Sequence, residues 1–138
     1  GLYRDWLERT LAAYLPAVLG YEVPSLGGQG GLRSRLWLGA LYGITAEVAA
    51  TTRTALIEVA PAAIKLTACG KGNANKEAVI AGLARLGYDV PQNDTADAWA
   101  GLLHICDKLG IKRPSNTGCH VILRRRAADP GTRARAST

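Results

Sequence analysis

The run "AVLGYEVP" (17–24) limits what this chain can fold into more than any other stretch. It is short, apolar and β-leaning, and Pro24 ends it, which predicts a buried strand. Its one acid, Glu22, falls near the C-terminal end. Val18 to Val23 are too apolar for a solvated sheet edge. "PSLGGQGG" (24–31) follows with four glycines in eight residues and no periodicity, the mark of a loop placed directly after that glutamate.

Helical patterns surround this strand. Residues 2–15 put Tyr3, Leu7, Leu11 and Tyr14 on one face, and Pro16 closes the helix. Residues 32–52 predict a longer helix with a small-residue stripe of Leu36, Gly39, Gly43, Ala46 and Ala50. Glycine costs about 1 kcal/mol against alanine inside a helix. The two glycines therefore call for close approach of another helix, a sheet or a second subunit. "ALIEVA" (55–60) is a second strand, and Pro61 suits the first position of a short helix. "CGKGNANKEAVIAGLARLG" (69–87) is a loop entering a helix whose apolar face is Val79, Ile80, Leu83 and Leu86, with Gly87 as a C-terminal cap. A last helix runs from about Asp94 to Leu109, with Ala98, Leu102, Ile105 and Leu109 inward. Strands and helices in this order predict one α/β domain over residues 1–110 and no internal repeat.

Beyond Gly110 the composition turns to Pro, Ser, Thr and Arg, with "HVILR" as a possible strand. Residues 111–138 otherwise read as a basic, disordered tail. They carry seven Lys/Arg against Asp129 alone, while residues 1–110 are balanced at ten against ten. All of the net charge of +6 therefore sits in the tail, where it suits a phosphate backbone. No stretch of about 18 apolar residues is present to span a membrane. The start shows no signal-peptide layout. The chain begins at Gly1 and has no methionine, from which removal of an upstream segment is expected. Three widely spaced cysteines, Cys69, Cys106 and Cys119, point to reduced thiols and a cytoplasmic location. Neither His104 with Cys106 nor Cys119 with His120 has finger-like zinc spacing.

Three places could carry chemistry. One is Glu22 at its strand end. Asp94 and Asp97 share a helix face at i, i+3, a spacing that fits a helix cap or half of a metal site. Lys71 and Lys76 lie in "GKGNANK", which lacks the spacing of a nucleotide-binding phosphate loop and does not follow a strand. Trp99 reads as a core aromatic rather than a base-stacking platform.

Taken in order, "PAAIK" (61–65), "GKGNANK" (70–76) and "NDTADA" (93–98), with "LGYEVP" upstream, resemble the RuvC family of Holliday-junction resolvases over about residues 2–110. The resemblance implies an RNase H-like mixed sheet flanked by helices. It implies Glu22, Asp94 and Asp97 as ligands of Mg²⁺ or Mn²⁺, two cations per active site, and Lys76 beside them in catalysis. Lys65 and Lys76 would handle DNA near the scissile phosphate, joined by Lys71 and by Arg124, Arg125 and Arg126 of the tail. A homodimer cutting four-way junctions is the implied assembly. The family's three opening strands, and the aspartate on the first of them, have no counterpart in these residues. The alternative is a non-catalytic DNA-binding or assembly module on the same scaffold.

Overall fold

The computed structural model describes residues 1–24, 31–90 and 93–115. Arg124, Arg125, Arg126 and the "HVILR" run lie outside them. The elements are α1 (Leu2–Tyr14), β1 (Val18–Glu22), α2 (Leu32–Thr51), β2 (Ala55–Val59), α3 (Pro61–Cys69), α4 (Lys76–Arg85) and α5 (Asn93–Leu109). The α/β architecture read from the sequence is present. Among the described residues its sheet is a single parallel pair, in register from Val18 opposite Ala55 to Glu22 opposite Val59. Parallel strands need a crossover, and α2 supplies it.

Two apolar clusters hold the layers together. Leu7 and Leu11 of α1 are buried with Val48 of α2, backed by Leu19 of β1. Tyr3 and Thr45 share a 2.8 Å hydrogen bond across the α1–α2 contact, and Arg4 pairs with Glu47 beside it. The larger cluster joins α3, α4 and α5 through Ile64, Ala68, Val79, Leu83, Ala100 and Leu103. Gly82 lets α4 settle on α3, since a Cβ there would stand 2.3 Å from the Ala68 carbonyl oxygen. Trp99 meets Tyr88 in a tilted ring contact at 5.2 Å and packs on this core, as its sequence context implied.

Three faces differ from the sequence reading. On α2 the stripe has no partner: among the described residues nothing comes within 4 Å of a Cβ built on Gly39 or Gly43. Every residue from Gly31 to Ala40 is exposed. On α5 the buried positions are Ala96, Ala100, Leu103, Ile105 and Cys106. Of the four expected inward, only Ile105 is buried; Ala98 and Leu109 are exposed and Leu102 is half-buried. The third difference is β1, expected to be buried and found, among the described residues, paired on one side alone. The Val23 N–H donates to Val59 O at 3.0 Å and the Ala55 N–H to Ala17 O at 3.2 Å. Backbone groups alternate in direction along a strand, so Val18, Gly20 and Glu22 turn theirs away from β2.

The segment after α5 begins as ordered structure. The Ile111 N–H donates to Cys106 O at 2.8 Å, Tyr88 donates its hydroxyl proton to Pro114 O at 2.7 Å, and Arg113 forms a two-pronged pair with Asp107 at 2.8 and 2.6 Å.

Candidate active site

Glu22 stands at the C-terminal end of β1, where the chain leaves the sheet after pairing Val23 with Val59. Asp97 approaches from the second turn of α5. Asp94 lies inside the first turn of that helix, which starts at Asn93; a carboxylate there also meets the positive end of the helix dipole. Lys65 comes from the middle of α3. Lys76 opens α4, and Asn75 fixes that start: its Oδ1 accepts from the Ala78 N–H at 2.9 Å. An asparagine at this position satisfies one of the orphan donors of a helix end.

Four of these residues, Glu22, Lys65, Lys76 and Asp97, line a cleft of about 420 Å³, together with Leu38 of α2. A larger cavity of about 610 Å³ runs between β1 and α5. It shares Glu22 and Asp97 with the cleft and adds Asp94. Lys71 is exposed on the loop between α3 and α4 and does not line the cleft. Asn75 and Leu38 were not singled out in the sequence; the asparagine three residues before the first protected amide of a helix is the signal that marks the former.

The Glu22 carboxyl is held above the ordinary carboxylate range. Burial is the first cause, although the residue as a whole is exposed, and the neighbouring negative charge of Asp97 is the second. Lys65 and Lys76 pull the other way. Glu22 thus feels the charge of Asp97 and of both ammonium groups. Carboxylate oxygens are hard donors that suit Mg²⁺ or Mn²⁺, and Mg²⁺ is commonly held by one or two carboxylates and several waters. The donor chemistry fits such a cation. Among the described residues, however, no three His, Cys, Asp or Glu side chains stand close enough together to form a metal-holding group.

Fold and cleft together define an α/β protein in which a strand-end glutamate faces the acidic start of a C-terminal helix, with lysines alongside. No protein-family model matches the sequence, and no curated protein does. Among solved structures the fold is similar to Thermus thermophilus RuvC, with a TM-score of 0.63 and 22% identity over 83% of this chain and 70% of that one. The chain therefore has the RuvC-like, RNase H-type fold. Among the described residues no helix is long and apolar enough to cross a membrane.

Proposed function

We propose that this protein is a divalent-metal-dependent endodeoxyribonuclease acting on branched DNA, with the four-way junction as its substrate. The observation that carries the reading is the convergence of Glu22 and Asp97 with Lys65 and Lys76 in one cleft of a RuvC-like fold. Phosphodiester hydrolysis needs a positioned water and relief of charge on the leaving oxygen, and bound Mg²⁺ or Mn²⁺ would supply both. Glu22 and Asp97 would hold the cation, with Asp94 adding oxygens from the turn before. Lys65 and Lys76 neutralise phosphates and fix the register of the strand. The basic residues of the tail, Arg124, Arg125 and Arg126 among them, add affinity that does not depend on DNA shape.

A junction has two strands to cut symmetrically, which a two-fold dimer provides. The unpartnered face of α2, with Leu32 70% and Leu36 64% exposed beside Gly39 and Gly43, suits a second copy.

The second reading, a DNA-binding or assembly module without catalysis, draws its support from the absence, among the described residues, of three acidic, His or Cys side chains close enough to form a metal-holding group. One experiment separates the two. Labelled four-way junction and linear duplex are incubated with the protein in Mg²⁺, and both binding and nicking are followed. Symmetric nicks near the crossover support the nuclease. Junction-selective binding with no nicks, unchanged by Mn²⁺, supports the module. Equal binding to both DNAs defeats the two together.

A further inference from the structure

The larger cavity is a groove whose walls come together at Gly20 of β1 and Ile105 of α5. Both residues line it, and a Cβ built on Gly20 would stand 2.4 Å from Ile105 Cδ1. Side chains alternate along a strand, so Gly20 and Glu22 share one face of β1. Ile105 follows Asp94 on α5 by about three helical turns, which returns it to nearly the same side of the helix. Glu22, Asp94 and Asp97 line the groove with the contact. Glu22 rides on the strand, whereas Lys65, Lys76, Asp94 and Asp97 ride on three helices joined by one apolar cluster, to which Ile105 belongs. The width of the groove therefore sets how far Glu22 stands from the acids of α5.

We propose that Gly20 and Ile105 are positioning residues, a seat and a pin that hold β1 and α5 at the separation from which Glu22 and Asp97 grip a divalent cation. The inference rests on the reading of the cleft as a cation site. Neither residue offers the cation a side-chain ligand; both act through the carboxylates. Glycine is what the contact requires, because any side chain there must turn Ile105 Cδ1 away or push α5 off the strand. Ile105 has little freedom to yield, since a β-branched residue in a helix keeps one strongly preferred χ1 rotamer. Only Cδ1 can turn. The next atom, Ile105 Cγ1, is 3.9 Å from the built Cβ, an ordinary contact. Trimming Ile105 to valine removes Cδ1 alone, and so makes room for one methyl group on Gly20 without moving either element. Mg²⁺ demands ligand distances of about 2.0–2.1 Å in near-ideal geometry. A retreat of α5 by about 1 Å therefore loosens the grip while the core stays packed.

The test is calorimetric Mn²⁺ titration of the 138-residue protein, with Glu22→Gln alongside and each variant's folded fraction read from urea unfolding. Gly20→Val, whose branched side chain reaches past Cδ1, should bind Mn²⁺ about tenfold more weakly than the parent, and Gly20→Ala about threefold. Adding Ile105→Val to Gly20→Ala should bring the affinity back to within about twofold of the parent, a coupling that independent sites do not show. A structural role alone would lower the urea midpoint and leave the affinity of the folded protein untouched. If Gly20→Val does not fold, Gly20→Ala and its rescue carry the test. The proposal is overturned if the folded Gly20 variants titrate like the parent while Glu22→Gln is weakened. Failure of Ile105→Val to restore Gly20→Ala overturns it as well. A parent that binds no Mn²⁺, or Glu22→Gln titrating like the parent, removes the cation reading and this inference with it.

Discussion

Gly82→Ala tests the packing that brings the two lysines to the cleft. The new Cβ would lie 2.3 Å from Ala68 O, 2.7 Å from Cys69 Cβ and 2.9 Å from the Ala68 carbonyl carbon. These are backbone atoms and the root of a side chain, so none can swing aside. Relief requires α4 to move off α3. Overpacking of this kind costs about 1–3 kcal/mol, and a clash with backbone belongs at the upper end. Alanine recovers about 1 kcal/mol through its better helix propensity, which leaves a net loss of about 2 kcal/mol. For a domain of this size that lowers Tm by about 6–10 °C. Urea unfolding followed by circular dichroism should show a lower midpoint at unchanged m. Because Lys65 rides on α3 and Lys76 on α4, the variant should also bind junction DNA more weakly than its folded fraction explains. A variant as stable as the parent, or more stable, would refute the argument, since helix propensity alone would then decide the outcome.

Other outcomes follow from the same structure. Gly39→Ala should stabilise the isolated subunit by about 0.5–1 kcal/mol, because its Cβ meets nothing within 4 Å among the described residues, whereas Gly39→Leu should turn a dimer into monomers by light scattering. An unchanged dimer, or a parent that is already monomeric, removes the α2 interface. The raised pKa of Glu22 means the folded state keeps its proton where the unfolded state has lost it. That contribution to stability is complete below the unfolded value near 4.5 and is lost as pH rises through the folded one. The stability of Glu22→Gln relative to the parent should therefore grow between about pH 4 and pH 7 in urea melts, and a constant difference would contradict the assignment. Removing residues 116–138 should flatten the plot of log K against log salt for DNA by about 2–4 while keeping the preference for branched DNA; an unchanged slope would mean that the tail arginines are idle.

Element boundaries were legible because the chain is punctuated. Pro16, Pro24 and Pro61 close or open segments, and observed ends fall within two residues of those expected. What periodicity cannot tell is which apolar face is covered. The stripe at Ala98, Leu102 and Leu109 repeats as a core face should, but it fronts the groove, and the buried face of α5 is made largely of smaller residues, Ala96, Ala100 and Cys106. The α2 stripe shows the same limit, since small residues announce close approach without naming the partner. The site was legible as an ordered set of motifs. Glu22, Asp97, Lys65 and Lys76 do converge, whereas Lys71 does not line their cleft. Asn75 locks Lys76 into a helix start, whereas Lys71 stands exposed in the loop before it.

Direct titration with Mn²⁺ tests the central claim, because cation binding by the cleft is what the nuclease reading requires. Calorimetry on the parent chain, Glu22→Gln and Asp97→Asn at about pH 7 should show binding by the parent and at least a tenfold weaker affinity in each variant. Both variants titrating like the parent would contradict the account, since the cation would then be held elsewhere or not at all.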